Sequence, residues 1–505
     1  MATSEPTFGA LLKRHRLAAG LSQDLLAERA RLSTRGISDL ERGVRRAPRR
    51  ATVTLLASAL ALDPSDQRRF ETAGKGGATA LTLRALRPHN LPAPPTPLIG
   101  RRAELDDAMA RLESGEVRLL TLTGAGGVGK TRLAQAVGLA LLRRYARRVW
   151  QVELAPLRDA DLVARTIANV LGLEKTRGIP LIESLVNHLR GMRALLLLHN
   201  FEHLPAGAAE VVAVLHASCP RLCILVTSRA PLHLRSEHEL PVLPLAVPDP
   251  RQVLSLSDLA RNPSVALFVR RVRAVRPNFA LTAANAATLA AICRRVDGLP
   301  LALELAAARM KILSPTALLA LLDQRLPVLT GGPQDVPERQ QTLRSTFAWS
   351  YDLLSVREKA LFRRLAVFVG GCTMAAVQSV CRAGDDAGGT LLDWIAALLD
   401  KNLLLQLAPG GVDEDDEVRF GMLETIREYG IECLAAVGEL GRSRERHAAY
   451  FLALEQSAAQ AENGPSRRAW LAKLDLEHDN LRAAVEFGRT RQQGYEVELG
   501  MAVAL

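Results

Sequence analysis

The sequence predicts a multidomain chain: a small all-α domain, an α/β domain with a parallel sheet, and a long, mainly helical remainder. Three observations carry that prediction. Short helical patterns fill residues 7–70, apolar strands alternate with helical stretches from 98 to about 250, and from about 258 the pattern stays helical. A chain of 505 residues has room for several domains at roughly 100–200 residues each. Net charge is +12, yet residues 1–50 alone hold 11 Lys/Arg against 5 Asp/Glu. Basic charge gathered on one small domain is the footprint of a nucleic-acid binder, although a solvated basic surface would show the same excess. The six cysteines include no CxxC pair and read as free, mostly buried thiols of a reducing compartment. The N-terminus lacks the apolar core of a signal peptide, and no apolar run approaches the roughly 18–20 residues that span a bilayer. A cytoplasmic protein with no membrane partner is expected.

In the first domain the informative stretch is LSQDLLAERARLSTRGISDLERG, residues 21–43. Ser22 is a good N-cap for a helix carrying Leu25, Leu26 and Arg29. Leu32 and Ser33 make a turn, and Ser33 caps a second helix whose Ile37 and Leu40 face inward. Two short helices with a tight turn form a helix-turn-helix, whose second helix can enter a major groove. The candidate DNA contacts are Gln23, Ser33, Thr34, Arg35, Ser38, Arg42, Arg45 and Arg46; Asp39 also faces outward. Gly36 costs around 1 kcal/mol against Ala inside a helix, so close approach to a backbone or a neighbour is expected there. The alternative is a small helical domain that recruits protein.

Residues 72–97, Gly-rich at the start (GKGG) and Pro-rich at the end (LPAPPTP), read as a linker. The best strands after it are RLLTLTG (118–124), RVWQVEL (148–154), ALLLLHN (194–200) and RLCILVTS (221–228), with HELPVLPL (238–245) as a fifth. GAGGVGKT (124–131) follows the first strand and opens the helix TRLAQAVGLALL. This is GxxxxGK[ST] in the strand–loop–helix setting that gives it meaning. Its glycines let backbone N–H groups curl round phosphate oxygens, and the helix N-terminus adds a favourable field. Gly124, Ala125, Gly126, Gly127, Val128, Gly129, Lys130, Thr131 and Arg132 are the candidate nucleotide contacts. Lys130 would reach the β- and γ-phosphates and Thr131 would ligate Mg²⁺.

Beyond 258 the clearest helix is GLPLALELAAARMKIL (298–313). LQLAPGGVDEDDEVRFGM (405–422) reads as a β-hairpin with solvated charge at its tip. Helices resume after about 440, in HAAYFLALEQSAAQ and WLAKLDLEHDNLRAAVEF. The last residues, GMAVAL, look like the start of a helix, which points to a truncated longer protein or a second chain that covers its apolar stripe.

LIGRRAEL (98–105), GAGGVGKTRLA, LLLLHNFEHL, ILVTSRAPL and GLPLALELAAARM occur in the order of the NB-ARC domain. The chain resembles the signal-transduction ATPases with numerous domains (STAND), in particular bacterial regulators with a DNA-binding N-terminus. Residues 7–62, through SQxxLAxxA and ISxxERG, resemble the phage-repressor (XRE-type) helix-turn-helix. The resemblance implies a helix-turn-helix domain over 1–71, the linker, a P-loop NTPase core over 98–250 and a helical domain over 251–335. It further implies a winged helix over 336–436 and, over 437–505, the start of an α-solenoid of tetratricopeptide type that senses an unknown ligand or protein. It implies ATP or ADP as cofactor, Ile99 near adenine, Pro300 packed on the base and Arg229, in TSR, sensing the γ-phosphate. Where many eukaryotic relatives have Met-His-Asp, this chain has Met422, Leu423 and Glu424.

The second departure is LLLLHNFEHL (195–204), whose fifth position is His199 where such ATPases carry an aspartate for magnesium. Mg²⁺ takes oxygen ligands, and imidazole replaces carboxylate poorly. Glu202 is the nearest carboxylate and could reach the ion through water, so Glu202 and Arg229 are the candidate catalytic residues. Loss of the strand-end carboxylate should spare nucleotide binding, leave Mg²⁺ weakly held and slow cleavage. His199 to His203 also spells HxxEH, a metalloprotease pattern, but that chemistry needs both histidines on one helix face, whereas a strand precedes them and Pro205 follows. The expected function is a regulator that binds double-stranded DNA and is switched by nucleotide with little or no hydrolysis. The alternatives are an ATP-assembled signalling or defence scaffold and a degenerate, truncated relative. The oligomeric state stays open, with a homo-oligomer as one option because such domains usually pair on palindromic sites.

Overall fold

The structure, a computed structural model, describes residues 8–30, 32–41, 50–60, 62, 66, 70, 89–94, 96–173, 179–205, 207–252, 254–322, 325–330, 341–381, 390–407, 418–459 and 473–490. The chain divides into two compact units, residues 1–90 with 167–177, and residues 91–166 with 178–505.

The first unit contains α1 (Phe8–Ala18), α2 (Gln23–Ala30), α3 (Thr34–Glu41) and α4 (Arg50–Ala59). They enclose their own core, in which Leu12, Leu26, Ile37, Leu56 and Phe70 have no exposed surface. Helix α1 approaches the end of α3 so closely at Gly9 that a Cβ there would stand 2.4 Å from the Leu40 carbonyl oxygen. A buried ion pair ties the same helices: Arg16 Nε donates to Glu41 Oε1 at 2.6 Å. Glu41 is held below the usual carboxylate range because its hydrogen bonds from Arg16 and Gln23 outweigh its burial. Leu25 is 46% exposed, so α2 contributes Leu26 but not Leu25 to the core. Among the described residues, Gly36 approaches no neighbouring element. The atom nearest its would-be Cβ is Ser33 Oγ at 3.1 Å, the cap of its own helix.

In the second unit, α5 (Arg102–Ser114) leads into β1 (Leu119–Thr123), α6 (Lys130–Ala140) and β2 (Val149–Glu153). Then come α7 (Asp161–Leu171), which runs across the division at residue 166, α8 (Leu181–Leu189), β3 (Ala194–His199), α9 (Gly207–Ser218), β4 (Leu222–Thr227) and β5 (His238–Pro241). Strand order is β2-β3-β4-β1-β5, and all neighbours run parallel. Every residue of β1, β3 and β4 is buried, as their unbroken apolar runs require of a sheet covered on both faces. Insertion of β4 between β1 and β3 aligns three strand ends. His199 lies level with Glu153 and Thr227, and Gly124 follows one strand further over. Ligands of open parallel sheets bind at these carboxyl ends. The linker ends earlier than its composition implies. Leu91 is buried against this core, and Thr96 is hydrogen-bonded by Arg132. Leu91 and Thr96 are therefore held on the α/β core, while residues 71–88 and 95 lie outside the described residues.

The helical part holds α10 (Leu256–Arg261), α11 (Pro263–Val275), α12 (Ala283–Arg295), α13 (Pro300–Arg309), α14 (Pro315–Leu321) and α15 (Arg325–Val328). Proline opens α11, α13 and α14, where its missing N–H costs no helical bond. Next follow α16 (Leu343–Asp352), α17 (Val356–Leu365), β6 (Cys372–Thr373), α18 (Met374–Cys381), α19 (Leu391–Asp400), β7 (Leu405–Leu407), β8 (Arg419–Gly421) and α20 (Glu424–Ala436). Strands β6, β8 and β7 form an antiparallel sheet in that order, giving the helices and wing of a winged helix. The hairpin read from the sequence is β7–β8; its acidic tip lies outside the described residues. Two final helices, α21 (Leu440–Ala459) and α22 (His478–Thr490), lie against each other. The expected last helix at GMAVAL falls outside the described residues. All six cysteines are free, five of them buried. No helix among the described residues is long and apolar enough to cross a membrane.

Candidate functional site

The glycine loop is shaped by backbone geometry. Gly124 has φ +147°, and a Cβ on it would meet the Val242 carbonyl oxygen at 2.5 Å. Gly127, at φ +81°, accepts a hydrogen bond from the Leu301 N–H at 3.2 Å, so the GLPL segment is fastened to the loop. Val128 is buried beneath it, and Arg101 Nη2 donates to the Val128 carbonyl at 3.2 Å. Gly129, at φ +97°, stands before α6, whose first residue is Lys130. Lys130 Nζ donates to the carbonyls of Gly124 (2.6 Å) and Ala125 (3.0 Å). Burial pushes its ammonium down to about 7; Glu202 opposes the shift and Arg229 adds to it.

At the end of β3 the arrangement rests on side chains. His199, almost fully buried, is hydrogen-bonded through Nε2 to Thr131 Oγ1 (3.2 Å) and through Nδ1 to Thr227 Oγ1 (2.6 Å). Thr227 Oγ1 also accepts the Asn200 N–H at 3.2 Å. The hydroxyl expected to ligate Mg²⁺ therefore has an imidazole as its neighbour. Glu153 Oε2 lies 3.9 Å from Nε2 of that ring. Glu202 is paired with Arg229: its Oε1 lies 3.4 Å from Arg229 Nε, with both side chains buried. Its Oε2 has no hydrogen-bond partner among the described residues.

Arg229 connects three parts of this unit. Besides Glu202 it donates from Nη1 to the Thr346 carbonyl at 3.2 Å, and its guanidinium lies 4.4 Å from the centre of the Trp349 ring. Asn402 Nδ2 donates to the Arg229 carbonyl at 2.6 Å. Helix α16 thus sits over the loop; a Cβ on Gly126 would meet Thr346 Cγ2 at 2.6 Å. Thr346, Trp349 and Asn402 were not expected. They lie more than a hundred residues further along, in segments that show only helical periodicity. Thr227 had a signal, as the first residue of the TSR that drew attention to Arg229.

The other expected residues divide. Ile99 is half-buried against the core. Pro300 opens α13, with its Cγ 3.9 Å from where a Gly129 Cβ would stand. Arg132 turns from the loop toward Thr96, donating to its carbonyl at 2.7 Å, and lies 3.7 Å from Glu304. The HxxEH histidines diverge: His199 ends a strand, while His203 Nε2 pairs with the Leu157 carbonyl at 2.8 Å. Leu423 caps α20, and Thr425 beside it donates from its N–H and hydroxyl to Asp297 Oδ2, both at 2.8 Å.

In the first unit, Ser22 and Ser33 act as N-caps, accepting the N–H groups of Leu25 and Gly36, each at 3.1 Å. Thr34 is exposed and Ser38 half-buried on α3. Gln23, expected to contact phosphate, donates its amide to Glu41 Oε2 at 2.7 Å; the pull of a buried carboxylate holds it within the domain. The side chain of Arg35 and all of Arg42, Arg45 and Arg46 lie outside the described residues.

The loop's positive-φ glycines, Lys130 and the α6 N-terminus suit a nucleotide's phosphates. The strand end offers imidazole and hydroxyl where a hard cation wants carboxylate, so the donor set fits Mg²⁺ poorly. Comparison with known proteins agrees with the geometry. The helix-turn-helix domain family matches residues 7–70, and the NB-ARC domain family matches residues 101–231. An uncharacterised protein of Mycobacterium tuberculosis is 38% identical over 347 residues, 68% of this chain and 83% of its own length. The chain belongs to the NB-ARC proteins that carry an N-terminal helix-turn-helix. A second M. tuberculosis relative, whose name places it among HTH-type transcriptional regulators, is 38% identical over 381 residues, 75% of this chain. The NB-ARC chain spans 40% of that relative's length. A STAND protein with a tetratricopeptide repeat sensor from Pyrococcus horikoshii aligns over 82% of this chain and 53% of its own, at 12% identity and a TM-score of 0.30.

Proposed function

We propose that this NB-ARC chain is a DNA-binding transcription regulator whose conformation is set by ATP or ADP at Gly124–Thr131, with little or no turnover. The observation that carries the reading is Arg229. Its guanidinium stands beside the loop and holds the winged helix through Thr346 and Trp349. A γ-phosphate in the loop would compete for that guanidinium; ADP would not. Nucleotide acts only through its differential affinity for two states. A preference of about 100-fold, roughly 2.7 kcal/mol, shifts a balanced equilibrium almost completely. Slow turnover follows from the imidazole at residue 199. A relative named as a transcriptional regulator and a matching helix-turn-helix family support DNA as the output.

The test is affinity for a random-sequence duplex pool at low salt, with ATP against ADP, for the natural chain and Arg229→Ala. The natural chain should show a difference of about tenfold or more, and the variant should bind both nucleotides yet lose the difference. An undiminished difference in the variant, or no duplex binding at low salt, overturns the reading.

A further inference from the structure

The end of the sheet opposite the glycine loop carries a second feature. Arg118, Arg193 and Arg221 each stand immediately before a strand, β1, β3 and β4 respectively. These strands are parallel neighbours in the order β3-β4-β1, so their N-terminal ends lie side by side about 4.8 Å apart. Arg144, beyond α6, joins them around one cavity of about 470 Å³. Its buried lining residues are Leu112, Tyr145 and Cys223, and no carboxylate lines it. Glu113 and Glu116 flank the lining residue Gly115 in sequence but do not themselves line the cavity.

Two arginines are fixed in place. Arg118 Nη1 donates to the carbonyls of His216 (2.9 Å) and Cys219 (3.3 Å), and Arg144 Nη2 to that of Glu113 (2.8 Å). Arg193 and Arg221 are exposed, and neither has a hydrogen-bond or ion-pair partner among the described residues. A solvated charged face would present such groups outward with no shared hollow. Here four arginines line one concavity within the size range of small-molecule sites. Guanidinium forks match phosphate oxygens bidentately, and like charges held together favour an anion that shares them.

We propose that this cavity binds a phosphate-bearing polyanion, its phosphates between the four arginines. The site is separate from the glycine loop and does not depend on it.

The test is titration calorimetry of the full chain carrying Lys130→Ala, with ATP and inorganic tripolyphosphate as probes. Both should bind saturably. Adding Arg193→Ala and Arg221→Ala should weaken both about tenfold or more while leaving the thermal midpoint unchanged, since both side chains are exposed. Absence of saturable binding, or equal affinity with and without the two arginines, overturns the proposal. So does loss of duplex-DNA affinity in the arginine variant with no change for either probe, which would make the cluster a nucleic-acid surface.

Discussion

The loop after β1 and the end of β3 border the same space with only β4 between them, yet they are built by different means. The loop is a backbone device. Gly124, Gly127 and Gly129 take φ values that only glycine adopts freely, and its polar groups are N–H groups and carbonyls. The strand end is a side-chain device, in which Thr131, His199 and Thr227 form a hydrogen-bonded row. Holding a phosphate chain requires the first; placing a hard cation beside it requires carboxylate oxygen in the second. The proposed separation of binding from cleavage rests on this difference, since a backbone loop does not depend on the side chain at the strand end.

The largest expected effect comes from the loop. Lys130→Ala should weaken nucleotide binding at the loop about 100-fold, roughly 2.7 kcal/mol, seen by displacement of a fluorescent nucleotide at low concentration. A loss under threefold would show that the loop does not carry the binding.

A smaller effect sharpens the same side of the comparison. Burial holds Lys130 down to about 7, and phosphate oxygens beside it would raise that value. A group whose bound-state value is raised contributes its full affinity below its free value and loses it as pH climbs through the bound one. Affinity should therefore be greatest below about pH 7 and fall by up to about tenfold per unit above it. Calorimetry at pH 8 in two buffers of different ionisation heat should show proton uptake, and none would contradict the assignment.

On the strand-end side, Thr227→Val removes the hydroxyl shared by His199 Nδ1 and the Asn200 N–H. About 1–2 kcal/mol of stability should be lost by urea denaturation, with nucleotide affinity unchanged within twofold. An equal loss of affinity would mean that the two halves of the site are not separable.

The two devices were unequally legible in the sequence. A loop made of backbone conformations announces itself through glycine spacing and a flanking strand and helix. The five parallel strands were likewise visible as apolar runs, with β5 ending at Pro241 rather than at 245. His199 was visible as a residue but not its partners, because a hydrogen bond between strand ends leaves no periodic trace. Glu202 was placed by nearness in sequence, but the turn after β3 directs it to Arg229. Gln23 was placed by its position at a helix start, and Glu41 at the end of α3 claims it instead. Contacts from α16 and Asn402 depend on how the winged helix folds back, which local patterns do not encode. Strand β6, two residues long, is too short to show any alternation.

On the proposed reading His199 leaves nucleotide binding intact and removes the cation's carboxylate. Single-turnover cleavage of pre-bound ATP with Mg²⁺ separates these effects when the natural chain is compared with His199→Asp. The variant should cleave on the order of 100-fold faster, about 2.7 kcal/mol of barrier, with nucleotide affinity changed by less than about tenfold. Equal cleavage by both chains would contradict it and return the metal-holding role to another carboxylate, Glu202 first.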